Sequence, residues 1–441
     1  MTQASSLVGA PPGSTMLKLA VPGVVGALLF SGPGLLETVY LRHAGADALA
    51  AVAMVFPLIM LAMMFAAGAI GGAVSGRTAR AIGAGDYNQA SAILVCAVLI
   101  SFAGGLIMWL LAVKLGPVLY ERASSNTSVL NAAIHYTAVV FPAMPAIWLL
   151  HMLSSVLRGT GDMVRPAIAA ATLLIAYVLF AGLLIKDDTD LYTTVRAAGI
   201  AMVCANFVAT AVVIFFILQK RQPVRFNFST FNTRTLSAIL KQGLLAASQS
   251  VMTIAYAIVT TVLFGRLGTE WLAGFGLAVR LELIMVPVIF GVGASLIAIV
   301  GAYVGAGQRS RAISIAWRGI FINAALLCVV GLLFSLFPGM WCNLAGSDET
   351  VIDNCSLSLR FIAPTYAFLA LGLGCYFASQ GLNTLKYPVL GALLRLLIVT
   401  SGLFWVTDTT SIYVTLGLVV FAVVAYGMFV IIMLKYRAWV S

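Results

Sequence analysis

Residues 45–54 read GADALAAVAM, and residues 268–277 read GTEWLAGFGL. Each follows a short polar connection and opens a long apolar stretch, and the two lie 223 positions apart. The correspondence recurs downstream. AIGAGDYNQA (81–90) matches YVGAGQRSRA (303–312), and VLRGTGDMVRP (156–166) matches ASQGLNTLKYP (378–388), each pair at an offset of 222. A near-constant offset over three landmarks marks an internal duplication, and a duplication of this length constrains the whole fold.

The 441 residues are 62% hydrophobic and 9% charged. A soluble domain carries roughly 25% charged residues, so most of this chain's surface is expected to meet lipid. About twenty apolar residues cross a bilayer as a helix. Twelve such spans are predicted, near 18–41, 49–75, 90–113, 132–157, 165–185, 196–218, 237–264, 272–300, 312–336, 357–380, 387–406 and 411–434. Six spans per half is an even number, so both halves start on the same side of the membrane. The expected fold is therefore an all-α integral membrane protein of twelve transmembrane helices, built as two parallel six-helix repeats related by an axis near the membrane normal. The predicted organisation is a flexible N-terminal tail (1–15), an N-lobe (16–218), a cytoplasmic linker (219–236) and a C-lobe (237–441). The linker, QKRQPVRFNFSTFNTRTL, is basic and rich in Gln, Pro, Asn and Thr, as connectors are. No cleavable signal is evident, because the apolar run after Lys18 is too long for a signal core.

The net charge of +11 has a topological reading. With the N-terminus inside, the inner connections and span ends hold 16 basic residues, among them Arg77, Arg80, Arg158 and Arg165, against Asp86 and Asp162. The outer set holds seven basic residues and ten acids. That bias predicts a multi-pass protein of the inner (plasma) membrane with both termini cytoplasmic, and it accounts for the basicity without nucleic acid. Four of the six cysteines lie in apolar runs. Cys342 and Cys355 share an outer connection and can pair if it faces an oxidising compartment. With no Cys/His cluster at metal-ligand spacing, no HExxH and no nucleophile–base set, neither a metal, a cofactor nor an enzymatic activity is expected. The expected partners are a small-molecule substrate and the lipid bilayer, for a chain acting as a monomer. Two similar bundles joined by an inside linker suggest a transporter that rocks one half against the other.

Glu37 in the first span, GADALAAV (45–52), GAGD (83–86), LRGTGD (157–162) with Pro166, and GAYVGAGQRSRA (301–312) together resemble the multidrug and toxic compound extrusion (MATE) family over nearly the whole chain. AVRLE (278–282) is similar to the DinF-type branch. The NorM-type branch carries acids in spans seven and ten, which this chain lacks. The resemblance implies export of organic cations or amphipathic drugs by alternating access, driven by an ion. In DinF-type relatives an Asp in span one works with an Asn and an acid in span five. Here the first is Glu37, and the matching span-five positions are Tyr177 and Ala181.

Charges deep in a bilayer cost at least ~2.5 kcal/mol on insertion scales and are functional candidates by default. Away from span ends there are four: Glu37, Arg280, Glu282 and Arg395. Arg280 and Glu282, at i and i+2, point to different helix faces. Arg395 is the better partner for Glu282, and the three form a candidate C-lobe buried charge group whose plainer role is an ion pair that fixes packing. Glu37 has no opposite charge in the N-lobe spans. Taking up a proton removes the cost of burying it, which is what a proton carrier needs. The competing reading has Glu37 reach the outer headgroups. Gly32, Pro33 and Gly34 form a candidate break and hinge beside it. Tyr177, Ser154, His151 and Met54 are candidates for an N-lobe cavity. His151 and Met54 have plainer readings as packing residues. A sodium ion wants several oxygens, and Glu37 with Tyr177, Ser154 and Ser155 is a poor cage, so proton coupling is favoured. The expected function is a proton-coupled antiporter. The alternatives are a sodium-coupled exporter of a dedicated metabolite and a flippase for lipid-linked saccharides.

Overall fold

A computed structural model describes residues 12–186, 190–219, 222–345 and 348–439. It contains twelve helices long and apolar enough to cross a membrane. They are α1 (Thr15–Leu41), α2 (Ala46–Gly83), α3 (Tyr87–Arg122), α4 (Thr127–Gly159), α5 (Val164–Leu184), α6 (Leu191–Leu218), α7 (Thr233–Arg266), α8 (Thr269–Gly305), α9 (Arg309–Leu336), α10 (Glu349–Leu382), α11 (Lys386–Phe404) and α12 (Ile412–Ala438). Several outrun the apolar stretches that predict them: α3 reaches Arg122 rather than 113, and α10 starts at Glu349 rather than 357. Hydropathy reports where lipid ends, whereas a helix continues until a capping residue stops it. Asp86 and Asp348 supply such stops, accepting from the backbone N–H groups of Gln89 and of Thr350 respectively.

Three predictions need correction. The helix that contains α1 begins at Pro12, inside the predicted tail, of which residues 1–11 lie outside the described residues. Gly32-Pro33-Gly34 does not break α1, because the helix runs unbroken from Pro12 to Leu41 with Pro22 and Pro33 inside it. Each proline removes one N–H. Leaving the helix altogether would strand further backbone groups where no water can satisfy them. Gly32 instead marks a close crossing with α5, where an added Cβ would lie 2.7 Å from Leu174 Cδ1. Third, the linker is less detached than expected. Thr233 already belongs to α7, Val224 is buried, the Arg225 N–H donates to Ser91 Oγ at 3.1 Å, and Gln89 Nε2 donates to Thr235 Oγ1 at 3.1 Å.

The duplication reappears in the backbone. The described residues with positive φ are Gly45, Gly85, Gly161, Gly268, Gly307 and Asn383. They pair as 45/268, 85/307 and 161/383, at the offsets already seen in the sequence. Behind Gly85 and Gly307 the same turn closes: the Asp86 N–H donates to the Ala81 carbonyl and the Gln308 N–H to the Tyr303 carbonyl, both at 2.9 Å. Asp162 to Leu157 (3.1 Å) and Thr384 to Ser379 (2.9 Å) repeat it. This is the six-to-one bond of a left-handed helix stop, which Asn can serve in place of Gly. Prolyl 3₁₀ turns interrupt α4 at Phe141–Ala143 and α10 at Ala363–Thr365, again 222 apart. Not every irregularity is duplicated: α2 carries a π-helical stretch, Met64–Ile70, where α8 stays α-helical.

Buried apolar side chains form one large cluster from Leu41 to Ile239 and another that runs from Ala246 to Trp439 and takes in Met16 and Ala69. Helix α1 packs against both α5 and α8, so it bridges the halves. The clusters meet most closely along α2 and α8. Every residue of α8 from Gly291 to Tyr303 is buried, and nearly all of α2 from Gly71 to Ile82. At their other ends both helices bury one face only. Backbone meets backbone at the enclosed end: a Cβ on Gly83 would collide with Ala302, and one on Gly305 with Arg80.

Polar groups tie that end together. Arg80 of α2 donates through Nη1 to the carbonyls of Gln380 (2.9 Å) and Gly381 (2.5 Å) at the end of α10. Gln242 Nε2 shares the Gln380 carbonyl at 3.0 Å. Gln380 Nε2 reaches back to the Gly68 carbonyl at 3.1 Å, inside the π-helical stretch. The repeat exposes a second contact. The counterpart of Gln380 is Arg158 and that of Gly68 is Phe290, and the Arg158 guanidinium lies 5.6 Å from the Phe290 ring. The same two pairs of positions are therefore joined twice across the seam, once by a hydrogen bond and once by a cation–π contact. At the opposite end a disulfide joins Cys342, in the short helix Gly339–Ala345, to Cys355 of α10.

Candidate functional site

Glu37 lies one turn before the end of α1, yet only 4% of its surface is exposed. It does not reach the headgroups. It also has a partner that the sequence reading did not supply: Tyr136 of α4 donates its hydroxyl to Glu37 Oε1 at 2.7 Å. Tyr136 is fully buried. Tyr177 of α5, also fully buried, lies within electrostatic reach of Glu37, and its hydroxyl has no hydrogen-bond partner among the described residues. Tyr40, one turn past Glu37, sets its ring edge-on to Tyr177 at 6.3 Å and donates its hydroxyl to the Val178 carbonyl at 3.2 Å. Three tyrosines from α1, α4 and α5 thus wall a single carboxyl, and no basic side chain among the described residues pairs with it.

The structure brings Tyr177 to Glu37 but leaves the other cavity candidates apart. His151 is buried with its ring against Phe30, centroids 5.1 Å apart, and its carbonyl accepts from Ser155 Oγ. Ser154 is fully buried and its hydroxyl is unpaired. No hydrogen bond joins His151 or Ser154 to Glu37. Met54 is half-buried against the first cluster. Ser155, an oxygen of the poor sodium cage, accepts from Arg158 Nη2 at 2.7 Å, and a guanidinium in that position repels a cation. Arg158, which its place among the inner charges marks as an anchor, is itself buried. With Pro22, Gly23, Phe30, Pro166 and Phe290 it lines a small cavity where α1, α4, α5 and α8 meet.

The C-lobe charge group is corrected in two ways. Arg280 is exposed and leaves the group, and Glu282 is half-buried. Arg395 is buried, but no ion pair forms with Glu282, which stays within electrostatic reach only. The guanidinium lies instead 4.2 Å from the ring centre of Tyr256 and 5.2 Å from that of Tyr426. Stacking on aromatic faces suits a weakly hydrated planar cation.

A family model described as MatE matches residues 22–182 and 246–405, well over half of the chain. A Shewanella oneidensis protein named FAD transporter is 26% identical over 409 residues, covering 90% of this chain and 87% of that one. A Thermotoga maritima protein named probable multidrug resistance protein NorM is 21% identical over 384 residues, covering 85% and 81%. Among solved structures, a MOP superfamily transporter from Pyrococcus furiosus superposes with a TM-score of 0.89 at 20% identity, covering 99% of this chain and 98% of that chain. A MATE crystal structure in the bent conformation superposes with a TM-score of 0.88 at 21% identity, covering 99% and 97%. At these identities the structural likeness shows the fold.

Proposed function

The chain belongs to the MatE family and is a MATE transporter, and from that premise we propose a proton-coupled antiporter that exports amphipathic organic molecules by alternating access. The observation that carries this reading is Glu37, a lone buried carboxyl held by one phenol. Protonated, it is neutral and compatible with its apolar surroundings. Deprotonated, it leaves a charge whose burial is relieved only if the N-lobe rearranges to hydrate it. The Tyr136 hydroxyl can bond the carboxyl oxygen in either state, which keeps the group in place while the proton exchanges.

Sodium is less well served, because Ser155 is committed to Arg158 and the side-chain oxygen bonded to Glu37 is the Tyr136 phenol. The flippase alternative calls for a cationic central cavity, for which Arg280 and Arg395 are the candidates; Arg280 is exposed and Arg395 buried. Both termini are assigned to the cytoplasm of an inner membrane. The basic bias supports this, and so does the Cys342–Cys355 disulfide on the outer side, where oxidising conditions preserve it. AVRLE keeps the DinF-type branch as the nearest pattern. Multidrug relatives favour cationic or amphipathic cargo. A second reading, an anionic aromatic cargo, follows the relative named FAD transporter and is favoured by Arg395.

In proteoliposomes with an imposed pH gradient, Glu37→Gln is expected to abolish proton-driven cargo movement while leaving cargo binding to the purified protein intact. Wild-type coupling in that variant would overturn the proposal.

A further inference from the structure

The proton site leaves Arg395 without a task. Arg395 is 4% exposed, in the middle of α11. Its Nε has no acceptor among the described residues. Its Nη2 has only Thr253 Oγ1 of α7, at 3.4 Å, the long limit of a hydrogen bond. Arginine keeps its charge under any ordinary condition. A buried guanidinium whose role is purely structural has its N–H groups met by acceptors, as Arg80 has two backbone carbonyls, whereas Arg395 has only the long Thr253 contact, and Glu282, an acid in electrostatic reach, does not touch it.

What surrounds Arg395 is shaped but unfinished. Tyr256 and Tyr426 lie beside the guanidinium at 4.2 and 5.2 Å, and rings stacked on its faces leave its N–H edge open. That edge is the part of arginine that binds a carboxylate or phosphate through two parallel bonds. A nearby polar group is also left over. Gln249 Nε2 donates to the Tyr426 hydroxyl at 3.2 Å while Gln249 Oε1 has no partner among the described residues. Buried polar atoms without partners are costly, and here Gln249 of α7 and Arg395 of α11 both flank Tyr426 of α12 with a polar atom unmet. The duplicated N-lobe has Leu173 at the position matching Arg395, so the cation is not part of the common scaffold.

We propose that Arg395, framed by Tyr256 and Tyr426, binds an oxyanion carried by the cargo, a carboxylate or a phosphate, and so selects anionic over neutral and cationic molecules. This rests on the transporter reading but not on which ion drives it. Two flavin pairs, each a neutral molecule and its anion, provide the test: riboflavin with FMN (phosphate), and lumiflavin with 10-carboxymethylflavin (carboxylate). Each is titrated against purified protein by flavin fluorescence. At least one anionic flavin is expected to bind wild type tenfold or more tightly than its neutral counterpart, and which one does so separates the two oxyanions. In Arg395→Gln the members of each pair should bind alike. Arg395→Lys, which keeps the charge but loses the fork, is expected to fold and to cut the preference at least threefold. Glu37→Gln should keep the wild-type preference, so a failure of proton coupling is distinguishable from a failure of this site. Equal affinities in wild type, absence of anionic flavin binding, or an unchanged preference in the Arg395 variants would overturn the proposal.

Discussion

Tyr136 is the residue on which the N-lobe site turns. Its hydroxyl is the hydrogen-bond donor to Glu37 among the described side chains, so Tyr136→Phe leaves the carboxyl with no fixed partner. A buried hydrogen bond contributes about 1 kcal/mol, more when one group is charged. The expected result is a loss of about tenfold in proton-driven transport rate with cargo affinity nearly unchanged, measured by initial rates and binding on the same preparation. Glu37 was legible in the sequence because an acid inside an apolar run stands out against its neighbours. Tyr136 was not, because a tyrosine in such a run is ordinary, and its pairing spans 99 positions that only tertiary packing closes. Arg280 misled for a related reason. Depth along a helix is visible in sequence, but which face meets lipid, protein or cleft is set by neighbouring helices.

At the level of elements, the twelve spans and their duplication were readable because apolar length and repeated turn residues are local signals. Helix ends and continuity were not. Gly32-Pro33-Gly34 looked like a break, yet backbone in lipid has no alternative donors or acceptors, so the helix persists. The connection between α9 and α10 yields a direct prediction. The disulfide closes a loop of sequence separation 13, a size for which chain-entropy arguments give ~3 kcal/mol. Cys342→Ser is expected to lower the thermal midpoint and to make the segment around Gly339–Ala345 sensitive to protease added from outside, with transport largely retained. Limited proteolysis of sealed vesicles checks the location as well as the effect.

For the molecule as a whole, the enclosed ends of α2 and α8 hold the halves together in an arrangement that the proposed alternating access would have to open. Gln380 is central, because its side chain bonds the Gly68 carbonyl and its own carbonyl receives Arg80 and Gln242. Gln380→Ala removes the side-chain bond while keeping the carbonyl. At about 1 kcal/mol the balance between closed and open seams should move by roughly fivefold. Spin labels at Tyr87 and Arg311, two exposed sites near that end, should show a larger long-distance population in the variant. An unchanged distribution would mean that the backbone contacts at Gly83 and Gly305 suffice by themselves.

The duplicated scaffold also has a thermodynamic consequence. At the offsets that relate the halves, Glu37 corresponds to Val259 or Thr260, neither of which can carry a proton at ordinary pH. A machine with a proton site at both equivalent positions could exchange two ions per turnover. One that exchanges through Glu37 alone moves a single proton, so each pH unit across the membrane contributes at most about a tenfold gradient of exported cargo. For a monocation the exchange is electroneutral and that is the whole limit, whereas the membrane voltage acts on one transferred charge for a neutral cargo and on two for a monoanion, and stoichiometry becomes a property written into the asymmetry between two copies of one fold.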